Sequence, residues 1–124
     1  EAAEALVAVM PTLAVLVNVS GASNVAFEGI AFKHATWLRP SEPDGYVEQQ
    51  SGQGPVGADP RNADCDADFF WSYKPPGNVA VHSARNVSFL HCEFSRLGGT
   101  GLDLTSATDC VVDGCYFHDI SGAA

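Results

Sequence analysis

The chain has 124 residues and a net charge of −9, from six Lys and Arg against 15 Asp and Glu. That balance argues against a nucleic-acid partner, which needs a basic face to displace phosphate counterions. Hydrophobic residues make up 46% of the chain, enough to bury a core and too many for a disordered tail. No run of about 18 apolar residues is present to span a membrane.

The opening "EAAEALVAVMPTLAV" reads as a strand-like lead-in. It is not a secretory leader, because acidic residues stand where a basic region belongs and Pro11 interrupts the apolar run. From Leu16 to Ala35 the pattern is clear. Val17 and Val19 alternate with Asn18 and Ser20, the period of a strand with one buried face. "SGASN" follows as a bend, Val25 and Phe27 mark a second strand, Glu28-Gly29 a tight corner, and Ile30 and Phe32 a third strand.

The same skeleton returns twice. Val79, Val81, Val87, Phe89, Cys92, Phe94 and Leu97 fill the seven apolar slots in the second copy. Leu102, Leu104, Cys110, Val112, Cys115, Phe117 and Ile120 fill them in the third, where Cys115 follows Cys92 by 23 residues. Self-similarity at a fixed period of this size is the mark of a solenoid. Three short strands per turn predict an all-β parallel β-helix, each strand pairing with its counterpart one turn on. The clear turns are 16–35, 78–100 and 101–123. Like slots then stack on like slots, so Phe32, Phe94 and Phe117 should form an aromatic ladder. A polar slot also repeats, Asn24, Asn86 and Asp109, and reads as a ladder satisfying neighbouring turns. Asn18-Val-Ser20 and Asn86-Val-Ser88 match the glycosylation sequon, but strand positions are poor acceptors. Few turns and no evident caps imply ends that stack on further turns or on other chains.

The first two copies are much farther apart than the second and third. Asn24 and its counterpart Asn86 are separated by 62 residues, and the surplus is one insertion. That insertion, about 36–77, carries six of the seven Pro and the aromatics Trp37, Tyr46, Phe69, Phe70, Trp71 and Tyr73. Such an excursion serves function or covers a core. Its aromatics either stack on sugar rings or pack on one another. Asp59, Asp64, Asp66 and Asp68 lie within it. Alternate aspartates can ligate Ca²⁺, but the sharp glycine turn and closing Glu of a calcium loop are missing, so no metal or other cofactor is expected. Four cysteines, at 65, 92, 110 and 115, contain no CxxC. Cys92, Cys110 and Cys115 read as small core thiols. A Cys92–Cys115 bridge is the alternative, since stacked strands lie about 4.8 Å apart and disulfides tolerate that span.

Candidate chemistry sits between the apolar slots. Leu102 and Leu104 point inward, so Asp103 should point out, into a groove beneath the insertion. Lys33-His34, Ser95-Arg96 and His118-Asp119 recur at one bend. Paired carboxylates, Asp103 and Asp119, can act as acid and base, or acid and nucleophile, on a glycosidic bond; a carboxylate with an Arg could instead abstract a proton from a uronic acid. His34, Arg96 and His118, with Trp37, Tyr46, Trp71 and Tyr73 from the insertion, would bind the glycan.

From about Leu16 to Gly122 the chain resembles the right-handed parallel β-helix proteins of the pectate-lyase-like superfamily. It resembles in particular members with an F-x-H-x-x-W-x-x-P segment, here Phe32, His34, Trp37 and Pro40, and a Gly-rich bend before the next turn, here "GGTGLDL". The resemblance implies a secreted, carbohydrate-active protein; some members are glycoside hydrolases of plant cell-wall or pectic glycans, and a polysaccharide lyase is the less expected activity. The fold also carries adhesins and inert fibres, so a non-catalytic binding or structural module in an extracellular assembly is the alternative. The corner slot often filled by Asn in that group holds Ile30, Cys92 and Cys115.

Overall fold

A computed structural model describes residues 8–38, 54–55, 72–73 and 77–124. Among these residues every regular element is a strand. The first turn supplies β1 (Val17–Ser20), β2 (Ser23–Glu28) and β3 (Ala31–Ala35). Within the insertion, β4 (Gly54–Pro55) pairs antiparallel with β5 (Ser72–Tyr73). The second turn supplies β6 (Val79–His82), β7 (Arg85–Leu90) and β8 (Glu93–Leu97). The third supplies β9 (Leu102–Thr105), β10 (Val111–Asp113) and β11 (Tyr116–Ile120). Residues 8–15, read above as strand-like, form no strand.

The three turns build three parallel three-stranded sheets, in the orders β1-β6-β9, β2-β7-β10 and β3-β8-β11. The arrangement is compatible with a β-helix. Register follows the apolar slots: Val17 and Val19 pair with Val79 and Val81, which pair with Leu102 and Leu104. Phe27 pairs with Phe89 and Phe89 with Val112. A slip of one residue would turn every one of these side chains to solvent, so burial itself specifies the alignment.

The core draws on all three sheets and is deepest in the middle turn, where Val79, Val81, Val87, Phe89 and Phe94 are fully buried. Two aromatic ladders run through it. Phe32, Phe94 and Phe117 stack with ring centroids 5.0 and 4.5 Å apart, and Phe27 stacks on Phe89 at 4.9 Å. Phe89 meets Phe94 edge-on at 5.7 Å, which ties the two ladders together. Each such pair adds about 0.5–1.5 kcal/mol beyond its area.

The corners repeat as strictly as the core. Each turn places four residues in the left-handed region: Gly21, Ser83 and Ser106 after the first strand; Asn24, Asn86 and Asp109 within the next stretch; Gly29, His91 and Gly114 after the second strand; His34, Arg96 and Asp119 inside the third. Left-handed backbone redirects the chain and resets side-chain alternation, as in a β-bulge. In the third sheet this lets Phe32 and Ala35 both face the core although they stand an odd number of residues apart.

The polar slot bonds as a ladder over two rungs only. Asn86 Nδ2 donates to Asn24 Oδ1 at 2.7 Å, while Asp109 accepts from Arg85 Nε at 2.9 Å. Asp109 has no amide hydrogen to pass along the ladder, so the guanidinium takes over. Cys92, Cys110 and Cys115 are free thiols. Cys92 Sγ donates to Phe27 O and Cys115 Sγ to Phe89 O, each reaching one turn back. Cys65 lies outside the described residues.

Where the insertion leaves and returns, Asn78 closes a neck. Its Nδ2 donates to Ala14 O at 2.6 Å and to Thr36 O at 3.3 Å, and its Oδ1 accepts from Gly99 N at 3.0 Å. Gly98 is required beside it, because a Cβ there would lie 2.7 Å from the backbone nitrogen of Trp37. The Gly-rich bend thus serves a close crossing of two chain segments.

Candidate functional site

The outer face of the third sheet brings polar side chains from three turns onto one carboxylate. On β3, β8 and β11 the outward positions form two rows: Ala31, Glu93 and Tyr116, then Lys33, Ser95 and His118. Glu93 stands in the middle of the first row, so its diagonal neighbours on both flanking strands are within reach of a long side chain. Glu93 Oε1 meets Lys33 Nζ at 2.7 Å and His118 Nε2 at 3.0 Å, and accepts from Ser95 Oγ at 3.0 Å. His118 Nδ1 lies 3.1 Å from Asp119 Oδ2. The Tyr116 ring stacks on the His118 ring with centroids 4.6 Å apart and is 63% exposed.

The charges follow from these contacts. Lys33, then His118 and Ser95, hold the Glu93 carboxyl down from 4.5 to about 2, so Glu93 is an anion and not a proton donor at neutral pH. Glu93, and behind it Asp119, raise His118 above its ordinary 6.5, while partial burial opposes them. Neutral imidazole has one donor and one acceptor nitrogen. Facing a carboxylate at each nitrogen favours the doubly protonated cation.

The two expected catalytic carboxylates stand on different sheets. Asp103 sits on the first sheet and Asp119 on the third, so no single sheet face carries both. Asp103 does project from the side opposite the core, but it is 3% exposed. Its Oδ1 accepts from Thr105 Oγ1 at 2.9 Å. A Cβ on Gly77 would come within 2.7 Å of its own Cβ, so the limb returning from the insertion lies directly against it. Ala80, its neighbour on β6, is buried too, whereas Asn18 on β1 is exposed. The expectation of an open groove at Asp103 is therefore corrected: the residue is covered, with Gly77 directly against it. Asp119 is exposed but occupies a left-handed corner at φ 53°, a position Asp tolerates well. Backbone geometry explains its identity without catalysis.

The other expected residues divide. His118 is at the centre of the network. His34 and Arg96 share the Asp119 corner and lie in the left-handed region at φ 62° and 55°. Trp37 is partly buried where its backbone crosses Gly98. Tyr73 is described in its backbone alone, opposite Gly54. Tyr46, Trp71, Pro40 and the aspartates at 59, 64, 66 and 68 lie outside the described residues. Sequence reasoning misses Glu93 and Tyr116 as site residues. Their signal is present in the slot alignment, which puts a Glu diagonal to both Lys33 and His118.

A second polar surface lies on the second sheet, an open groove of about 510 Å³ lined by Ser23, Asn24, Arg85, Asn86 and Asp109. Its amides and guanidinium are engaged in the ladder described above. Comparison of the chain with protein families, curated proteins and solved structures returned no match.

Proposed function

We propose that the chain is a segment of a right-handed parallel β-helix protein, of pectate-lyase-like type, that binds polysaccharide on the outer face of its third sheet. The observation that carries this reading is the Tyr116 ring, exposed and backed by His118, beside a fixed group of charged and hydroxyl side chains. A sugar ring presents an apolar C–H face and a polar rim. An aromatic plane flanked by a few oriented polar groups matches both. Stacked turns set the outward side chains of this face in rows, which suits a chain ligand. The reading is of binding, since Asp103, one of the two expected catalytic carboxylates, is covered. Secretion fits a polysaccharide ligand and is part of the same proposal.

Retention on a panel of immobilised plant cell-wall polysaccharides, neutral and uronic, tests it. At least one should retard the chain, and Tyr116→Ala should lose most of that retardation. Absence of retention on every member, or an unaltered Tyr116→Ala, would sink the reading.

A second reading, a structural module in an extracellular assembly, is favoured by the open rung of the third turn. Leu104 and Val112 are 40% and 42% exposed, although their slot partners Val81 and Phe89 are fully buried. Those slots fit a further rung of the same kind, from this chain or another.

A further inference from the structure

We propose that His118 is a proton-operated latch, whose doubly protonated ring fixes β11 and its Tyr116 side chain to β8 and, through Glu93, to Lys33 of β3. Three observations carry it. First, among the described residues β11 pairs with β8 alone. Second, the two nitrogens of His118 face two different carboxylates, Glu93 on the neighbouring strand and Asp119 on its own. Third, Tyr116 leans on the same ring.

The chemistry is a matter of counting protons. The charged and titratable side chains of this sheet are Lys33 and His34 on β3, Glu93 and Arg96 on β8, and Tyr116, His118 and Asp119 on β11. Of these, Glu93 and Asp119 touch His118, and Lys33 touches Glu93. Imidazolium donates to both carboxylates. Neutral imidazole donates to one and turns a lone pair on the other, so one contact becomes repulsive. Glu93 keeps Lys33 and Ser95 in either case, whereas the attraction between imidazolium and the Glu93 carboxylate is lost whichever ring nitrogen gives up its proton, so deprotonation weakens the tie to β11. The shift in His118 agrees in sign. A group whose folded pKa is raised contributes fully below its ordinary 6.5 and loses that contribution as pH rises through the folded value. The latch is shut in mild acid and open in alkali. It does not depend on the glycan reading, since it is read from backbone exchange without ligand.

The test is NMR on the ¹⁵N-labelled chain. Below 6.5 both His118 ring nitrogens should carry protons, and the titration midpoint should lie above that value. Protection of the β11 amides, normalised to intrinsic exchange, should fall about two- to fivefold across the midpoint, the size expected for a partly exposed ion pair. Tyr116 ring signals should move with the same midpoint. His118→Gln should abolish the pH dependence while β8 amides stay protected. Asp119→Asn, which leaves the Glu93 contact, should lower the His118 midpoint and cover the case in which His118→Gln fails to fold. A midpoint at or below 6.5, β11 protection that is flat through it, or a pH dependence surviving in His118→Gln would overturn the proposal.

Discussion

The side-chain amide of Asn78 lies 2.6 Å from the carbonyl oxygen of Ala14, across 64 residues of sequence. With Thr36 O and Gly99 N as further partners, one buried amide joins the lead-in segment, the exit of the first turn and the exit of the second. Asn78→Ala would leave two carbonyls and an amide hydrogen without that partner in a site from which water is excluded. A loss of about 2–3 kcal/mol is expected. Asn78→Asp should be as damaging, because it keeps the acceptor and removes both donors. Urea denaturation measures it. A change in both variants below about 0.5 kcal/mol, the low end for a single hydrogen bond, would show that the neck does not hold the turns.

The aromatic ladder should be most sensitive at its centre. Phe94 is fully buried with a stacked ring on each side, whereas Phe117 has Phe94 on one side and is partly exposed. Phe94→Ala should cost about 3–5 kcal/mol and Phe117→Ala clearly less. Equal losses in equilibrium unfolding would contradict the description of the middle turn as the deepest part of the core.

Acid should weaken the third sheet through Glu93. Its folded pKa of about 2 lies below the ordinary 4.5, so its stabilisation is present above 4.5 and is lost as pH falls toward 2. Other carboxylates titrate in the same window, so the informative quantity is the difference between wild type and Glu93→Gln. That difference in melting temperature should be greatest between 4.5 and 6.5, where Glu93 is ionised and His118 charged, and should shrink toward pH 2. A difference that stays constant over that range would mean the ion pairs contribute nothing there.

Asp103 should behave as a structural residue. Asp103→Ala removes the acceptor for Thr105 from a covered position, and a loss of about 1–3 kcal/mol is expected. Glycan retention per folded molecule should be unchanged. Lost retention with full stability would return Asp103 to the ligand-binding face.

The scaffold is legible in the sequence because stacking demands the same residue class in the same slot. Val79 above Leu102 and Phe94 above Phe117 can be read from spacing alone, and the strand register follows them. The corners are harder. Gly29 and Asn24 announce left-handed backbone, but Ser83 and Arg96 adopt it too, and nothing in their chemistry says so. Alternation therefore assigns Val17, Val19, Val25, Phe27 and Phe32 to the core side, but Ile30, read with them, is 42% exposed, and it fails again after Lys33. For Asp103, alternation finds the correct side of the strand, but that side is not solvent. What covers it, the limb ending at Gly77, belongs to a stretch with no periodicity to read. Glu93 escapes a linear reading because its partners are diagonal neighbours on other turns, His118 lying 25 residues ahead and Lys33 a whole insertion behind.

The neck at Asn78 has a consequence for how the chain can change. The connection from β3 to β6 is about tenfold longer than that from β8 to β9, yet the strands it joins keep the same register. Closing a connection that much longer costs roughly 2 kcal/mol under a logarithmic law, an amount comparable to one well-placed buried amide. Length at this point is thus nearly neutral for the scaffold. The segment between Trp37 and Gly77 can lengthen, shorten or be exchanged while the turns stay aligned, so it is where the chain can vary its surface without remaking its core.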